Sequence, residues 1–450
     1  MEEIFPYQAL DVDLYELTMA AGYFHHNYNP TVTFELYVRK LPDTRNYLIA
    51  AGIEQAVKYI NSLRFSSEEV NYIKSLPVMK DVKPEFFEYL QNYKFSGDIF
   101  GLKEGELVFA KEPILQIQAS LIEAQILETF LLTTINFQTA VASKASRVVQ
   151  AAQSDGKDRT ILEFGSRRAH GPEAGVLAAR AAYIAGCAGT SNVLAGYRYG
   201  IPLYGTAAHS WTLAFDSELD AFKKYSEVFP NSSIYLIDTF NTLEGAKRAA
   251  QTGYKVFGVR IDSGDLELSS KEVRKILDSN GMNDTIIILS GDLNEYKIEN
   301  LIDKETPVDS FGVGTQLATS EDAPSLSVVY KLVEVEKNNR HLYRAKICPG
   351  KIMYPGKKQI YREVKENNFV KDLIVLNGEK GAQGNKLLIQ YVKNGEVIYS
   401  FPTLDEIRHY VRKNLQKLPD RFLSLDKKAD YKVEFSDKLK TLLSDIETNN

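Results

Sequence analysis

Val256-Phe257-Gly258-Val259-Arg260-Ile261-Asp262-Ser263-Gly264-Asp265 passes from a short apolar run into a turn of acids and glycine, and its reading decides the fold. The run is too short for a helix and rich in β-branched residues, as expected of a buried strand. Along a strand alternate side chains share a face, so Arg260 and Asp262 project to one side while Ile261 points to the other. Ser269–Ser279 then has helical composition and ends at Asn280-Gly281, which suits a helix C-terminus. Strand, polar loop and helix follow in that order.

The same unit recurs on both sides. Thr160–Phe164, Ile201–Thr206, Ser233–Ile237, Thr285–Leu289 and Ser310–Val313 are further short apolar runs, and Thr242–Thr252 is a helical stretch closed by Gly253. Repeated βα units predict a parallel sheet covered by helices. An open doubly wound sheet usually carries Gly-x-Gly-x-x-Gly after its first strand, and no such loop occurs. Polar residues and glycines instead gather at the C-terminal end of nearly every run, as in a barrel whose site is built from many loops. The expected fold is therefore α/β, an irregular TIM-like barrel over residues 126–335.

Residues 1–125 read as an N-terminal α+β domain, with a helix near Leu14–Phe24 and strands at Thr31–Val38 and Leu107–Ile117. Ser120–Thr134 reads as a buried helix because Glu123 and Glu128 interrupt its apolar character. Residues 336–450 read as a C-terminal extension, Lys- and Asn-rich, with turns at Pro349-Gly350 and Pro355-Gly356.

Composition excludes several classes. A chain of 450 residues that is 44% hydrophobic and 25% charged can bury a large core and is not a disordered polymer. A net charge of −5 argues against nonspecific attraction to nucleic acid or anionic membrane, so any anion site must be local. No stretch of about 18 uncharged apolar residues is present, which argues against a membrane span. The acidic start, Met1-Glu2-Glu3, lacks the basic region of a secretory signal. Cys187 and Cys348 form neither a redox pair nor a metal spacing, which fits a reducing cytoplasm.

Chemistry concentrates at the ends of the runs. Glu163-Phe164-Gly165-Ser166-Arg167-Arg168 sets two guanidiniums on a strand-end loop, suited to phosphate oxygens; a solvated loop paired with Glu163 is the simpler alternative. Gly205-Thr206-Ala207-Ala208-His209-Ser210 offers one of only six histidines, for proton transfer or phosphoryl acceptance, although a lone histidine is more often a structural partner. Arg260 can neutralise a carboxylate or phosphate, and Asp262 can accept ribose hydroxyls or orient hydrated Mg²⁺; an internal ion pair competes with that reading. Ser290-Gly291-Asp292 and Phe311-Gly312-Val313-Gly314-Thr315 allow backbone N–H groups to approach an anion. Asp238 adds an acid at the same rim, unless it caps the helix Thr242–Thr252.

Taken in order, Asp13-Leu14-Tyr15-Glu16-Leu17-Thr18-Met19, Glu163–Arg168, Gly189-Thr190-Ser191-Asn192, Gly205-Thr206-x-x-His209-Ser210, Arg260-x-Asp262-Ser263-Gly264-Asp265 and Gly312-Val313-Gly314-Thr315 resemble nicotinate phosphoribosyltransferase. The likeness runs from about residue 6 to residue 335, and Lys351–Arg362 also looks like the family's C-terminal region. It implies a homodimer with sites at the subunit boundary, in NAD biosynthesis by salvage, acting on nicotinate, phosphoribosyl pyrophosphate, ATP and Mg²⁺. By resemblance Tyr15 stacks on the pyridine ring from the partner subunit and Phe164 covers the other face. Thr206 and Arg260 contact nicotinate, Arg167 the phosphate side, Gly314 and Thr315 the phosphoribosyl group, and Asp262 and Asp292 the ribose. His209 matches a histidine phosphorylated by ATP; His209, Arg260 and Asp262 form the catalytic set, with Asp238 and Asp262 toward the metal.

Four rivals stay open on sequence alone, and one of them, quinolinate phosphoribosyltransferase, would need more cations for two carboxylates and usually has a shorter chain. Nicotinamide phosphoribosyltransferases resemble this chain but carry an acid at the third place of the Gly-Thr-x motif, where Ser191 stands here. An inactive phosphate-binding homologue would not be expected to retain His209, Arg260 and Asp262. An aldolase-like barrel would call for a strand-end lysine, and the runs offer arginine, aspartate and histidine instead.

Overall fold

The computed structural model describes residues 9–338, 340–348 and 351–449, so the expected Pro349-Gly350 turn lies outside the described residues. The chain divides into two units, Val141–Pro324 and the segments before and after it. Each is taken by itself.

The unit Val141–Pro324 holds the βα repetition. Its strands are β1 (Thr160–Glu163), β2 (Gly189–Thr190), β3 (Ile234–Leu236), β4 (Gly258–Ile261), β5 (Ile286–Ser290) and β6 (Ser310–Val313). They form one sheet in the order β2-β1-β6-β5-β4-β3, with every ladder parallel. Both faces are covered, which is why the strands are short and almost wholly apolar: Val259 and Ile261 on β4 are completely buried. Leu203 adds a parallel bridge to Thr190 beyond β2.

This is the order of a ring, with chain-order neighbours side by side on both flanks of β1. Among the described residues no ladder joins the Leu203 segment to β3. The expected α/β fold is present as a six-stranded parallel sheet, and among the described residues its ladders stop at β3 on one side and at the Leu203 bridge on the other. The expected strand Ile201–Thr206 shrinks to two backbone bonds, Thr190 N–H to Pro202 O (3.1 Å) and Tyr204 N–H to Thr190 O (2.9 Å). Pro202 has no N–H to give, so the ladder cannot extend.

Local sequence explains the helix starts. Asn241 Oδ1 accepts the N–H groups of Leu243 and Glu244 and begins Thr242–Ala250. Asp265 accepts from Leu268 N–H and begins Leu266–Ser279, one turn earlier than composition indicates. Asp265 is thus a cap, and Asp238, relieved of that duty by Asn241, remains at the strand end.

In the other unit, Thr31–Val38 forms as expected and pairs antiparallel with Val328–Lys337 on one side and Pro113–Ser120 on the other. The seven-stranded sheet also takes in Arg340–Tyr343, Asp98–Gly101, Ile389–Lys393 and Glu396–Val397, so segments far apart in sequence complete one sheet. The predicted strand Leu107–Ile117 is two strands, Leu107–Val108 and Pro113–Ser120, separated by a turn in which Lys111 has φ 73°. Likewise Ser120–Thr134 is split between the helices Leu121–Gln125 and Glu128–Ala152. Helix Leu14–His25 matches its prediction to within a residue. No described helix is long and apolar enough to cross a membrane.

Candidate active site

Arg260 leaves the C-terminal end of β4 and is held on all three nitrogens. Nε donates to Ser290 Oγ at 2.7 Å, Nη1 to Thr206 Oγ1 at 2.8 Å and Nη2 to Asp262 Oδ1 at 2.5 Å. Ser290 Oγ also donates to Asp262 Oδ1 at 2.5 Å, closing a triangle between β4 and β5. Burial alone would push the Asp262 carboxyl up, but the Ser290 hydrogen bond and the Arg260 charge, helped by His209, outweigh it and hold the group below the usual carboxylate range. A guanidinium has five N–H donors, and these three bonds leave one on each terminal nitrogen. The cation is fixed in direction with two donors in hand.

An aromatic wall stands beside it. The Arg260 guanidinium carbon lies 5.8 Å from the centre of the Phe164 ring. Gly312 on β6 makes room for that ring: a Cβ built there would meet Phe164 at 2.6 Å. Gly291 serves the backbone instead, with φ +93° and no space for a side chain against Asp262 O. Arg167 is exposed and reaches back to Phe164 O at 3.4 Å through Nη1. Glu163, fully buried, accepts from Gly165 N–H and the Thr190 hydroxyl rather than pairing with either arginine.

His209 begins the short helix His209–Leu213, which follows the Leu203 segment. Its Nδ1 is 3.2 Å from Thr239 Oγ1 and its Nε2 is 4.0 Å from Asp238 Oδ1. Asp238 Oδ2 accepts from Asp262 N–H (3.0 Å) and Ser263 Oγ (2.6 Å), while Oδ1 is buried with no hydrogen-bond partner among the described residues. Side chains from the Leu203 segment, β3, β4 and β5 therefore converge: Thr206, His209, Asp238, Arg260, Asp262 and Ser290.

Among the described residues no three His, Cys, Asp or Glu side chains are set to hold a metal. Mg²⁺ does not require three, because it usually keeps several waters and takes one or two carboxylates with substrate phosphates. The unpartnered Asp238 Oδ1 beside Asp262 fits that need.

The sequence and the fold are shared with known proteins. The nicotinate phosphoribosyltransferase family model matches residues 160–373, with the family's N-terminal domain on residues 10–136 and its C-terminal domain on residues 380–443. A nicotinate phosphoribosyltransferase of Mycobacterium tuberculosis is 41% identical over 440 residues, covering 96% of this chain and 92% of its own. The chain belongs to the nicotinate phosphoribosyltransferase family. A Bacillus subtilis member is 36% identical over 463 residues, covering 95% and 93% of the two chains. The crystal structure of human nicotinic acid phosphoribosyltransferase superposes with a TM-score of 0.85 at 26% identity, covering 96% of this chain and 99% of that one.

The remaining positions expected from the phosphoribosyltransferase likeness are more dispersed. Gly314 and Thr315 follow β6, Gly314 ahead of the short helix Thr315–Ala318 and Thr315 half-buried at its start. Asp292 is exposed after β5 with φ 46°, and its carbonyl accepts from Lys297 Nζ at 2.8 Å. Ser191 donates its N–H to Glu163 O at 3.0 Å, and among the described residues the Arg260 side chain bonds to Ser290, Thr206 and Asp262 and not to Ser191. Tyr15 belongs to the other unit, 45% exposed on helix Leu14–His25, where burial and the neighbouring Glu128 push its phenol up.

Sequence reasoning missed Ser290 and Ser263 as orienting hydroxyls, and Thr239 as the partner of His209. Ser290 carried a faint signal as the polar end of an apolar run. Thr239 carried none, because its role depends on a histidine 30 residues away.

Proposed function

We propose that the protein is a nicotinate phosphoribosyltransferase that forms nicotinate mononucleotide and pyrophosphate, coupled to ATP hydrolysis through phosphorylation of His209. One observation carries the reading beyond family membership: a guanidinium with two N–H donors remaining stands beside an aromatic ring, matched to a flat ring bearing one carboxylate. Arg260 takes the carboxylate, assisted by Thr206, and Phe164 takes one ring face. Tyr15 of a second subunit takes the other face, which makes the working form a homodimer.

The pyridine nitrogen attacks C1 of phosphoribosyl pyrophosphate as the C1–O bond breaks and pyrophosphate leaves with the electron pair. No proton moves in that step, so the site's task is electrostatic. Positive charge builds on the sugar, and the ionised Asp262, held by Arg260 and Ser290, favours it. Arg167, with Asp292 and the backbone at Gly314 and Thr315, binds the phosphate and ribose groups. Asp238 and Asp262 would hold Mg²⁺, which supplies charge neutralisation for the leaving pyrophosphate.

His209 receives the ATP phosphoryl group, and hydrolysis of the phosphohistidine draws the transfer forward. Thr239 on Nδ1 orients the ring for it. The setting is NAD salvage in the cytoplasm. The test is chromatographic detection of nicotinate mononucleotide and pyrophosphate from nicotinate, phosphoribosyl pyrophosphate and Mg²⁺, with and without ATP. Product that rises with ATP supports the reading, and its absence under both conditions overturns it.

A further inference from the structure

We infer that Glu163 is a positioning residue, whose carboxylate locks the turn bearing Phe164 and Arg167 to the neighbouring turn at Thr190–Asn192. The inference rests on the reading that Phe164 and Arg167 meet substrate, and it names what holds them there.

Glu163 is fully buried at the end of β1, and among the described residues no ammonium or guanidinium bonds to it. A carboxylate in that position is costly, and packing alone would be served better by an apolar side chain. Both oxygens are used on neutral donors. Oε1 accepts from Gly165 N–H at 2.5 Å, fixing its own turn, and Oε2 accepts from Thr190 Oγ1 at 2.5 Å, reaching the end of β2. The Glu163 carbonyl takes Ser191 N–H at 3.0 Å. Thr190 Oγ1 in turn accepts from Asn192 N–H at 2.9 Å, and Asn192 Nδ2 donates to Ser166 Oγ at 3.0 Å. The circuit thus leaves the first turn at Glu163 and returns to it at Ser166.

The same turn is pinned from its other side. A Cβ at Gly165 would lie 2.3 Å from Ala318 Cβ, so the backbone is pressed against the segment after β6. Phe164 N–H donates to Val313 O at 2.8 Å. These contacts fix the backbone at Phe164 on one side, and the Glu163 circuit fixes it on the other. A carboxylate accepts from both donors at once, and an amide has only one oxygen to offer. Small displacements of groups that orient a substrate are expensive, because alignment is lost without any contact being deleted.

The test compares the full-length chain with Glu163→Gln, Thr190→Val, the double variant and Phe164→Ala, by steady-state kinetics with nicotinate varied. Each single change in the circuit is expected to raise the KM for nicotinate about tenfold and to leave kcat within about threefold. The double variant is expected to be no worse than the worse single one, because both break the same circuit. Circuit variants with KM within about twofold of the parent, beside a Phe164→Ala with a large rise, overturn the inference and spare the site. Effects that multiply in the double variant overturn it too. An unchanged KM in Phe164→Ala removes the site reading and the inference with it. Should Glu163→Gln fail to fold, Thr190→Val, which preserves side-chain shape, carries the same expected and contradicting results.

Discussion

Arg260 Nη2 lies 2.5 Å from Asp262 Oδ1, two residues further along the same strand end, so the site's central cation is partly neutralised before any substrate arrives. Together with Thr206 and Ser290 this pairing turns a flexible side chain into a fixed fork. Lysine keeps the charge but cannot reproduce three directed bonds and two spare donors. Arg260→Lys is expected to raise the KM for nicotinate by about 10- to 100-fold, and Arg260→Ala by more, with smaller changes in the KM for phosphoribosyl pyrophosphate. Initial-rate measurements on both substrates check this.

His209 and Asp238 are placed for a task separate from pyridine binding. His209→Ala is expected to abolish stimulation by ATP while leaving slow, ATP-independent turnover. Rates with and without ATP, and acid-labile labelling from ATP carrying a radioactive terminal phosphate, measure it. A variant that retains the ATP dependence of the parent contradicts the role.

Gly312 is needed for what it lacks. A methyl group there would meet the Phe164 ring at 2.6 Å, and the Arg260 guanidinium carbon lies 5.8 Å from the centre of that ring. Gly312→Ala is expected to weaken nicotinate binding about tenfold by tilting the ring, while the circular dichroism of the fold stays close to the parent's. Equilibrium binding of nicotinate gives the result directly.

Glu16 makes stability depend on pH. Its carboxyl is pushed up to about 7, first by burial, then by the negative charge of Glu128, against the pull of the Thr129 hydrogen bonds. The folded chain therefore binds this proton more tightly than the unfolded chain, whose carboxyl titrates near 4.5. Stability from this group is present below pH 4.5 and falls as pH rises toward 7. Glu16→Gln imitates the protonated acid, so the variant is expected to gain about 1–3 kcal/mol relative to the parent at pH 8 and little at pH 4.5. Denaturant titrations of both proteins at the two pH values test it.

What could be read from sequence follows the physics of each element. Buried parallel strands must be apolar on both faces, so β1, β4, β5 and β6 stand out as runs, and their polar ends announce the rim. The two-residue β2 leaves no periodicity to read. Helix caps and site acids use the same residues, which is why Asp265 reads as chemistry and proves to be a cap, while Asp238 reads equally well as a cap and stays at the rim. The Glu163–Thr190 bond spans 27 residues and exists only in the fold. Likewise Arg362, buried against Asp372 of the adjoining strand and Glu106 from far earlier in the chain, gives no sign in sequence that its charge is internal.

Discrimination among pyridine bases tests the central claim most directly. The protein is supplied with phosphoribosyl pyrophosphate, Mg²⁺ and ATP, and with nicotinate, nicotinamide or quinolinate in separate reactions, and the disappearance of each base is followed. Consumption of nicotinate at a kcat/KM far above the other two is the predicted result. Preferential consumption of nicotinamide or quinolinate, or of none of the three, would contradict the assignment of Arg260 and Phe164 to an aromatic monocarboxylate.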